Sequence, residues 1–322
     1  MDAERVGVVG LGLLGQGIAA CFVAHGFTVV AVDRTDEQHA AARQGIEQAI
    51  EELVARAGFD PDLRQAWSSR YLPAVNFENL QACSFVVESV TEEAMTKEQV
   101  FDLLEAVVDP RVIIASNTSA IPITRLQQGR THPARFVGMH WAQPAHLTRF
   151  MEVIRGELTS ESVFQATAAL ARRIGKEPSL CQKDVPGFIV NRIGYAMYRE
   201  ALHLLDSGVA DAETIDRSMR NALGLWASIC GPLRWIDISG GPELYARAME
   251  PVLPTLSKAD ELSPSLRTLA DAGARGIQNG RGFYDYSPED AKLWQERYRQ
   301  HAWEVSQSLN QSFPLDDEGR AS

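Results

Sequence analysis

The sequence lacks long apolar runs: nowhere in its 322 residues does a stretch reach the roughly 20 apolar residues of a membrane-spanning helix. Residues 1–5 lead directly into a short apolar segment, so we expect no signal peptide. Basic residues are also scarce, with 31 Lys and Arg against 42 Asp and Glu, and no basic stripe could neutralise a nucleic-acid backbone. We therefore expect neither a membrane nor a nucleic acid as a partner.

Cysteine is scarce as well, and the four cysteines lie far apart, at Cys21, Cys83, Cys181 and Cys230. None has the Cys-x-x-Cys or Cys/His spacing of a metal site, so we expect no metal and predict free thiols in a reducing compartment, the cytoplasm. With 45% hydrophobic and 23% charged residues, the composition is that of an ordinary globular protein whose length predicts two domains. Its partner is then expected to be a small molecule.

A glycine-rich turn follows the first apolar run. Gly10 would allow a tight turn, Gly12 would let the backbone approach a pyrophosphate, and Gly15 would let a helix pack closely on a strand. The backbone N–H groups of Leu13 and Leu14 would begin that helix, where the positive end of the helix dipole favours phosphate. This pattern predicts a dinucleotide-binding site.

Asp33 ends the second apolar run and would lie beside the adenosine ribose. Its carboxylate would accept hydrogen bonds from the ribose hydroxyls and would repel a 2′-phosphate, so the cofactor predicted is NAD. Arg34 stands next to it, and an arginine at this place more often accompanies NADP. We include both residues in the predicted cofactor site.

His140 and Glu152 lie on two later apolar runs. His140 directly follows the run 136–139, and Glu152 lies within the run 151–154. A histidine exchanges protons near neutral pH, so it can take the proton of an alcohol while a hydride leaves the same carbon. A carboxylate on a neighbouring strand would fix the tautomer of the ring. The pair predicts an acid–base centre.

The order of the segments predicts an α/β fold. Short apolar runs at 6–9, 28–32, 84–88, 112–115, 136–139 and 151–154 alternate with helical spacings, which predicts a doubly wound, mainly parallel sheet with ligands at the carboxyl ends of its strands. From Phe188 onward helical spacing dominates. We place the domain boundary between 183 and 184, giving domains of 1–183 and 184–322, and expect the polar tail 301–322 to fray after its helix ends.

Taken together, these motifs resemble the 3-hydroxyacyl-CoA dehydrogenase family over nearly the whole chain. The segments that carry the resemblance are 10–15, 32–35, 86–88 with Glu92 and Lys97, 116–119, 138–140 with Pro144, 152–153, 184–192 and 280–286. The resemblance implies an N-terminal Rossmann-type domain and an all-helical C-terminal domain, where relatives dimerise. It therefore also implies a homodimer.

The resemblance further implies roles for individual residues. His140 would be the general base and Glu152 its partner, while Ser119 and Asn191 would hydrogen-bond the substrate oxygen and the histidine. Three further side chains would lie near the cofactor, namely Glu92, Lys97 and Asn117.

The chain departs from the family pattern where the substrate is expected. The usual His-Phe-Phe-Asn-Pro is here His140-Trp141-Ala142-Gln143-Pro144. The face of the helix after the second strand that would meet CoA carries Ala49, Glu51 and Glu52, with only Arg56 as a positive charge. These features are closer to branches that act on free hydroxy acids or on a hydroxymethyl or formyl pyridine carboxylate. We expect Gln143 and Arg149 to contact such a substrate, with Arg149 meeting its carboxylate.

Three alternatives remain open at this point. The first is a 3-hydroxyacyl-CoA dehydrogenase proper, or one acting on an acyl-carrier thioester. The second is a 6-phosphogluconate-like β-hydroxyacid dehydrogenase, for which Lys183 would be the nearest lysine. The third is a non-catalytic NAD-binding protein of the crystallin type, which the intact His140 and Glu152 disfavour.

Overall fold

The computed structural model describes residues 4–315, and the chain forms two compact units. The first runs through Arg192, and the second comprises Ile193–Phe313. The domain boundary expected at 184 stays a prediction, because compactness alone does not assign residues to a functional domain.

One sheet of eight strands organises the first unit. The strands are β1 (Arg5–Val9), β2 (Thr28–Val32), β3 (Tyr71–Ala74), β4 (Phe85–Glu88), β5 (Ile113–Ser116), β6 (Phe136–Trp141), β7 (Phe150–Ile154) and β8 (Glu177–Cys181). Their order is β3-β2-β1-β4-β5-β6-β7-β8. Every neighbouring pair is parallel except β6 and β7, which are antiparallel. The predicted doubly wound, mainly parallel sheet is confirmed.

Helices connect the strands and cover both faces of the sheet. They are α1 (Leu13–Ala24), α2 (Asp36–Arg56), α3 (Leu63–Arg70), α4 (Ala94–Val107), the short α5 (Ile123–Leu126) and α6 (Glu161–Arg173). Two hydrophobic clusters form, which is why the central strands are apolar at nearly every position. The core therefore lies in two layers, one on each side of the sheet.

Two strands were not expected from the sequence. β3 includes Pro73 and β8 includes Pro178, and proline cannot donate to a strand ladder. Both strands lie at an edge of the sheet, where a missing donor is tolerated. Strand propensity alone therefore did not reveal them.

The second unit is helical, as expected. Helix α7 (Val190–Asp206) leads into it, followed by α8 (Ala212–Ser218), α9 (Gly224–Ala227), α10 (Pro232–Ile238), α11 (Gly241–Met249), α12 (Pro264–Asp271) and α13 (Pro288–Ser312). Among the described residues of this unit only Trp303 is fully buried. Across residues 4–315, no helix is both long and apolar enough to cross a membrane.

The polar tail from 301 was expected to fray after its helix ends. That helix is α13, which continues to Ser312, and fraying beyond Ser312 stays a prediction. Its start is fixed by a capping box, in which Ser287 and Asp290 satisfy each other's backbone N–H groups. Further along, the Gln300 side chain donates to Glu304 one turn later (2.9 Å). Residues 316–322, also part of that expectation, lie outside the described residues.

The glycine turn after β1 yields a test of the fold. A Cβ atom at position 15 would lie 1.9 Å from the carbonyl oxygen of Gly10, so Gly15→Ala forces the backbone apart. We expect it to lower the free energy of unfolding by about 1–3 kcal/mol, the usual cost of overpacking. Gly12→Ala is the matched control, because a Cβ there meets nothing within 4 Å and its φ is −63°. Equal urea midpoints for the two variants would contradict this account.

Candidate active site

The glycine turn between β1 and α1 has the shape that a dinucleotide requires. Gly10 has a φ of +91°, which glycine adopts at no steric cost, and its N–H donates to the Val32 carbonyl (2.9 Å). Above Gly12 there is open space, and no side chain caps the start of α1. The helix N–H groups near Leu13 and Leu14 therefore face outward without a side-chain acceptor, and a pyrophosphate fits here.

Asp33 directly follows β2 and lies beside the glycine turn. One carboxylate oxygen accepts from the N–H of Leu11 (2.6 Å) and the other from the N–H of Arg34 (2.7 Å). The carboxylate thus joins the second strand to the glycine turn and remains half-buried at its edge. This is the place from which it would meet the ribose hydroxyls of NAD.

His140 and Glu152 lie directly opposite each other on the antiparallel strands β6 and β7. His140 Nδ1 is 2.8 Å from Glu152 Oε2, and both side chains are almost fully buried. A carboxylate only accepts hydrogen bonds, so Nδ1 carries the hydrogen and Nε2 keeps a lone pair. A ring held in this tautomer can take a proton at Nε2.

The second oxygen of Glu152 is also occupied. Oε1 accepts from the backbone N–H groups of Ile189 (3.0 Å) and Val190 (2.9 Å), at the N-terminus of α7. The chain turns into this helix through Gly187 and Phe188, with φ angles of +77° and +50°. A positive φ at a bulky residue costs about 1–3 kcal/mol and marks a constrained position. The residues at this turn therefore contribute to the site, although no side-chain pattern in the sequence indicates it.

Two aromatic rings flank the histidine. The ring of Phe150 packs edge-on at 5.7 Å between centroids, and that of Phe188 is tilted at 5.9 Å. Together with the hydrogen bond to Glu152, these two rings restrict the orientation of the His140 imidazole. The imidazole is thus fixed by packing as well as by a hydrogen bond.

Asn191 and Ser119 lie next to each other and are joined through the main chain of Ser119. The Asn191 amide donates to the Ser119 carbonyl (2.9 Å), whereas the Ser119 hydroxyl makes no hydrogen bond to any residue between 4 and 315. Asn191 therefore holds the loop after β5 in place. The hydroxyl of Ser119 is left able to bind a ligand.

Glu92 organises the same loop from the other side. Its Oε1 accepts from the Thr118 hydroxyl (2.6 Å) and from the N–H groups of Ser119 (2.8 Å) and Ala120 (3.0 Å). Burial raises the pKa of Glu92, but the Thr118 hydroxyl, the Lys97 charge and the two N–H groups lower it by more, so the net pKa lies below its ordinary value. The carboxylate is thus held in its charged form.

Lys97 lies behind Glu92 and is fully buried. Its ammonium is 2.8 Å from Glu88 and 3.3 Å from Glu92, and it also donates to the Val90 carbonyl (3.4 Å). Glu88 in turn accepts from the Ser116 hydroxyl (2.6 Å). Lys97 was expected near the cofactor. In the structure its side chain is buried behind Glu92, with which it forms an ion pair. Sequence reasoning assigned no role to Glu88, although a carboxylate at the end of an apolar strand is a usable signal.

Asn117 was expected near the cofactor and is buried at the end of β5. Its amide donates to the Ser89 hydroxyl (3.0 Å), and its Oδ1 accepts from the N–H of Trp141 (2.9 Å). It therefore ties the ends of three strands together, next to the histidine.

The two remaining predicted substrate residues differ in their surroundings. Gln143 is exposed at the cis peptide bond to Pro144, in the loop that joins β6 to β7. Arg149, at the end of the same loop, donates to Glu177 (2.8 Å) at the start of β8. Its charge is thus already matched by a carboxylate, which favours a structural role.

The acidic residues on α2 also have partners that the sequence did not reveal. Arg64 of α3 forms a bidentate pair with Glu51 (2.6 and 2.7 Å), and His146 of the β6–β7 loop bonds Glu52 (2.9 Å). Arg56 is therefore not the only compensating group on this face. Among residues 4–315, no cluster of three His, Cys, Asp or Glu side chains could hold a metal ion.

A doubly wound sheet with a glycine turn and an ordered His–Glu pair defines a dinucleotide-dependent oxidoreductase. Models of two domains match the chain: the NAD binding domain of 3-hydroxyacyl-CoA dehydrogenase at residues 5–185, and its C-terminal domain at 187–286. The chain belongs to the 3-hydroxyacyl-CoA dehydrogenase family and is an NAD-dependent dehydrogenase. The 6-phosphogluconate-like and non-catalytic alternatives are thereby set aside.

Individual relatives differ in substrate. The chain is 34% identical to the 5-formyl-3-hydroxy-2-methylpyridine 4-carboxylate 5-dehydrogenase of Mesorhizobium japonicum, over 92% of this chain and 95% of that protein. A crystal structure of such an enzyme, described as an NAD⁺-dependent dismutase, aligns with a TM-score of 0.88 at 31% identity, over 99% of this chain and all of the other. (S)-3-hydroxybutyryl-CoA dehydrogenase from Ralstonia eutropha aligns with a TM-score of 0.73 at 33% identity, over 89% and 100%.

Glu152→Gln tests the His–Glu pair. Because Ile189 and Val190 require an acceptor, the amide oxygen replaces Oε1, and the NH₂ group then faces His140. Nδ1 must become an acceptor, which moves the ring hydrogen to Nε2 and removes the base. We expect kcat to fall about 10²–10⁴-fold, as when a triad carboxylate becomes an amide, with NAD binding and unfolding temperature nearly unchanged.

Glu152→Ala is the contrasting variant in the same measurements. It leaves the buried ring N–H of His140 and two part-buried backbone N–H groups without an acceptor, so we expect it to lose about 1–3 kcal/mol of stability. Wild-type kcat in Glu152→Gln would remove the tautomer argument.

Proposed function

We propose that the chain oxidises the hydroxyl of a small free hydroxy-carboxylate, or reduces the corresponding carbonyl, with His140 as the acid–base group. The observation that carries the reaction is the Nδ1–Oε2 contact of 2.8 Å between His140 and Glu152, which leaves Nε2 as a proton acceptor. NAD, when bound, accepts the hydride from the carbinol carbon.

The protein groups divide the remaining work. His140 Nε2 takes the hydroxyl proton, and the ionised Glu152 stabilises the imidazolium that forms. We propose that the Ser119 hydroxyl binds the reacting oxygen and that Asn191 positions it through the loop. Glu92 is proposed to face the nicotinamide ribose, and the Lys97 ammonium holds Glu92 in place.

A free acid is favoured over a CoA thioester by the charges on α2. Arg64 and His146 both contact this helix surface, and each is bonded to one of its carboxylates, Glu51 and Glu52. A phosphate group would have to displace a carboxylate to use either one. The net charge of −11 also gives a polyanionic thioester no long-range attraction.

The structural match points the same way. The pyridine-carboxylate enzyme aligns over 99% of the chain with a TM-score of 0.88, so the alignment includes α13. The hydroxybutyryl-CoA enzyme aligns with a TM-score of 0.73. Identity does not separate the two relatives, at 31% and 33%, but the TM-score does.

The substrate proposal is tested by comparing kcat/KM for three compounds, with NADH formation or consumption as the readout. These are 3-hydroxybutyrate, 3-hydroxybutyryl-CoA and 5-formyl-3-hydroxy-2-methylpyridine 4-carboxylate. We expect a free carboxylate to be preferred, and His140→Ala to lose roughly 10²–10⁴-fold with every accepted compound. A tenfold or greater preference for the thioester, about 1.4 kcal/mol, would assign the chain to the CoA dehydrogenases instead.

We further propose that the active form is a homodimer joined through the helical unit. In residues 193–313 only Trp303 is fully buried, and large apolar side chains are exposed, including Leu225 at 76% and Leu233 at 78%. Exposed apolar surface on this scale is typical of a face that another protein covers. A second copy with two-fold symmetry is the simplest occupant.

The dimer is tested by light scattering after gel filtration. We expect twice the chain mass of 35.5 kDa for the wild type, and a shift toward monomer for Leu225→Glu with Leu233→Glu, which places two charges in the proposed interface. Leu158→Glu, at an exposed position of the first unit, is the control and should leave the mass unchanged. A monomeric wild type would overturn the proposal.

The cytoplasm is the location we propose, as the sequence predicts from scattered cysteines without metal spacing. All four cysteines are free in the structure, and three of them are buried. This is the state expected of thiols in a reducing compartment.

A further inference from the structure

Lys176 is a second fully buried lysine, and the proposed reaction gives it no role. It lies between α6 and β8 and is 2% exposed. Its ammonium donates to the carbonyl oxygens of Ala145 and Thr148, and it lies 5.1 Å from the ring centre of Trp141. No carboxylate pairs with it in the part of the chain that the structure describes.

Two of the three contacts of this ammonium lie on one segment, and the third, Trp141, is the residue directly before it. Residues 142–149, here called the hairpin loop, join β6, which carries His140, to β7, which carries Glu152. The loop is closed by its own bonds, since the N–H groups of Leu147 and Thr148 both donate to the Pro144 carbonyl (3.1 Å). Lys176 binds this closed turn through the carbonyl oxygens of Ala145 and Thr148.

The hairpin loop also packs closely against α1, the helix that follows the glycine turn. Ala145 is buried against Gly17 of α1, where an added Cβ would lie 2.9 Å from the Ala145 methyl group. On its outer side, His146 bonds Glu52 of α2. The hairpin loop is therefore bound at several points. Lys176 contacts its main chain at two carbonyls, those of Ala145 and Thr148.

An ammonium in this place is costly to the fold. Burial lowers the pKa of Lys176, which means that the charged form is less favourable here than in water. Two carbonyl acceptors and a tryptophan face offset part of that cost. An apolar side chain would avoid the cost altogether, but it could not bind the two carbonyls.

We propose that Lys176 is a positioning residue, which holds the hairpin loop in the single conformation that presents Gln143 to the substrate. The proposal rests on the proposed function to the extent that this loop meets the substrate. Lys176 touches neither substrate nor cofactor, and acts through the main chain of residues 145 and 148.

The test compares Lys176→Met, which removes the charge and the donors, with Lys176→Arg, which keeps a cation and donors. Lys258→Met is the matched control, because Lys258 is exposed in the helical unit. The first readout is hydrogen exchange of the amides in 142–149, which needs no substrate. We expect exchange about tenfold faster in Lys176→Met, the size of losing hydrogen bonds from a charged donor, with partial recovery in Lys176→Arg and no change in the control.

The second readout is kinetic and uses whichever substrate the wild type accepts. We expect KM for that substrate to rise about tenfold in Lys176→Met, while KM for NAD and the exchange of β1 and β2 stay within about twofold. Unchanged exchange in 142–149 would overturn the proposal, and so would a uniform loss of protection, substrate binding and NAD binding. If Lys176→Met does not fold, Lys176→Gln removes the charge but keeps an NH₂ group as donor, and it is judged by the same criteria. Failure of both to fold would assign Lys176 to general stability and end the proposal.

Failure of the proposed function has a different signature. A wild type that prefers the thioester would alter the substrate assignment and leave the exchange result as it stands.

Discussion

The carboxylate of Glu152 is the group on which the rest of the site depends, because its two oxygens bind different parts of the chain. One oxygen fixes the tautomer of His140, and the other accepts from two backbone N–H groups at the start of α7. The bond to His140 depends on the antiparallel pairing of β6 and β7, which sets the two side chains opposite each other. The sheet, the turn at Gly187 and the first residues of α7 therefore act as one unit.

A second buried carboxylate plays a parallel role on the cofactor side. Glu88 binds the Lys97 ammonium, which in turn reaches Glu92, the acceptor for the loop after β5. Burying such charges is costly unless each has a partner, and here every one of them does. The two networks approach each other at Asn117, whose amide joins the end of β4 to Trp141 beside the histidine. The groups proposed to meet the cofactor and to transfer the proton are thus organised by adjoining sets of hydrogen bonds.

Much of this architecture could be predicted from the sequence, because apolar runs and a glycine turn are local patterns. The pairing of His140 with Glu152 was accessible for the same reason, since both lie on recognisable strands. The second partner of Glu152 was not, because Ile189 and Val190 contribute main-chain groups that their side chains do not reveal. The Arg149–Glu177 pair was hidden too, since β8 contains a proline and was not expected as a strand.

The turn at Gly187 and Phe188 limits how far the two parts of the chain can be treated as interchangeable modules. A fragment that stops at 183, where the composition changes, would contain both members of the His–Glu pair. It would lack the ring of Phe188 and the two N–H groups that bind Glu152 Oε1. A chimera that exchanges helical domains must therefore place its junction beyond the first turn of α7, because the acid–base centre ends inside that helix and not at the edge of the sheet.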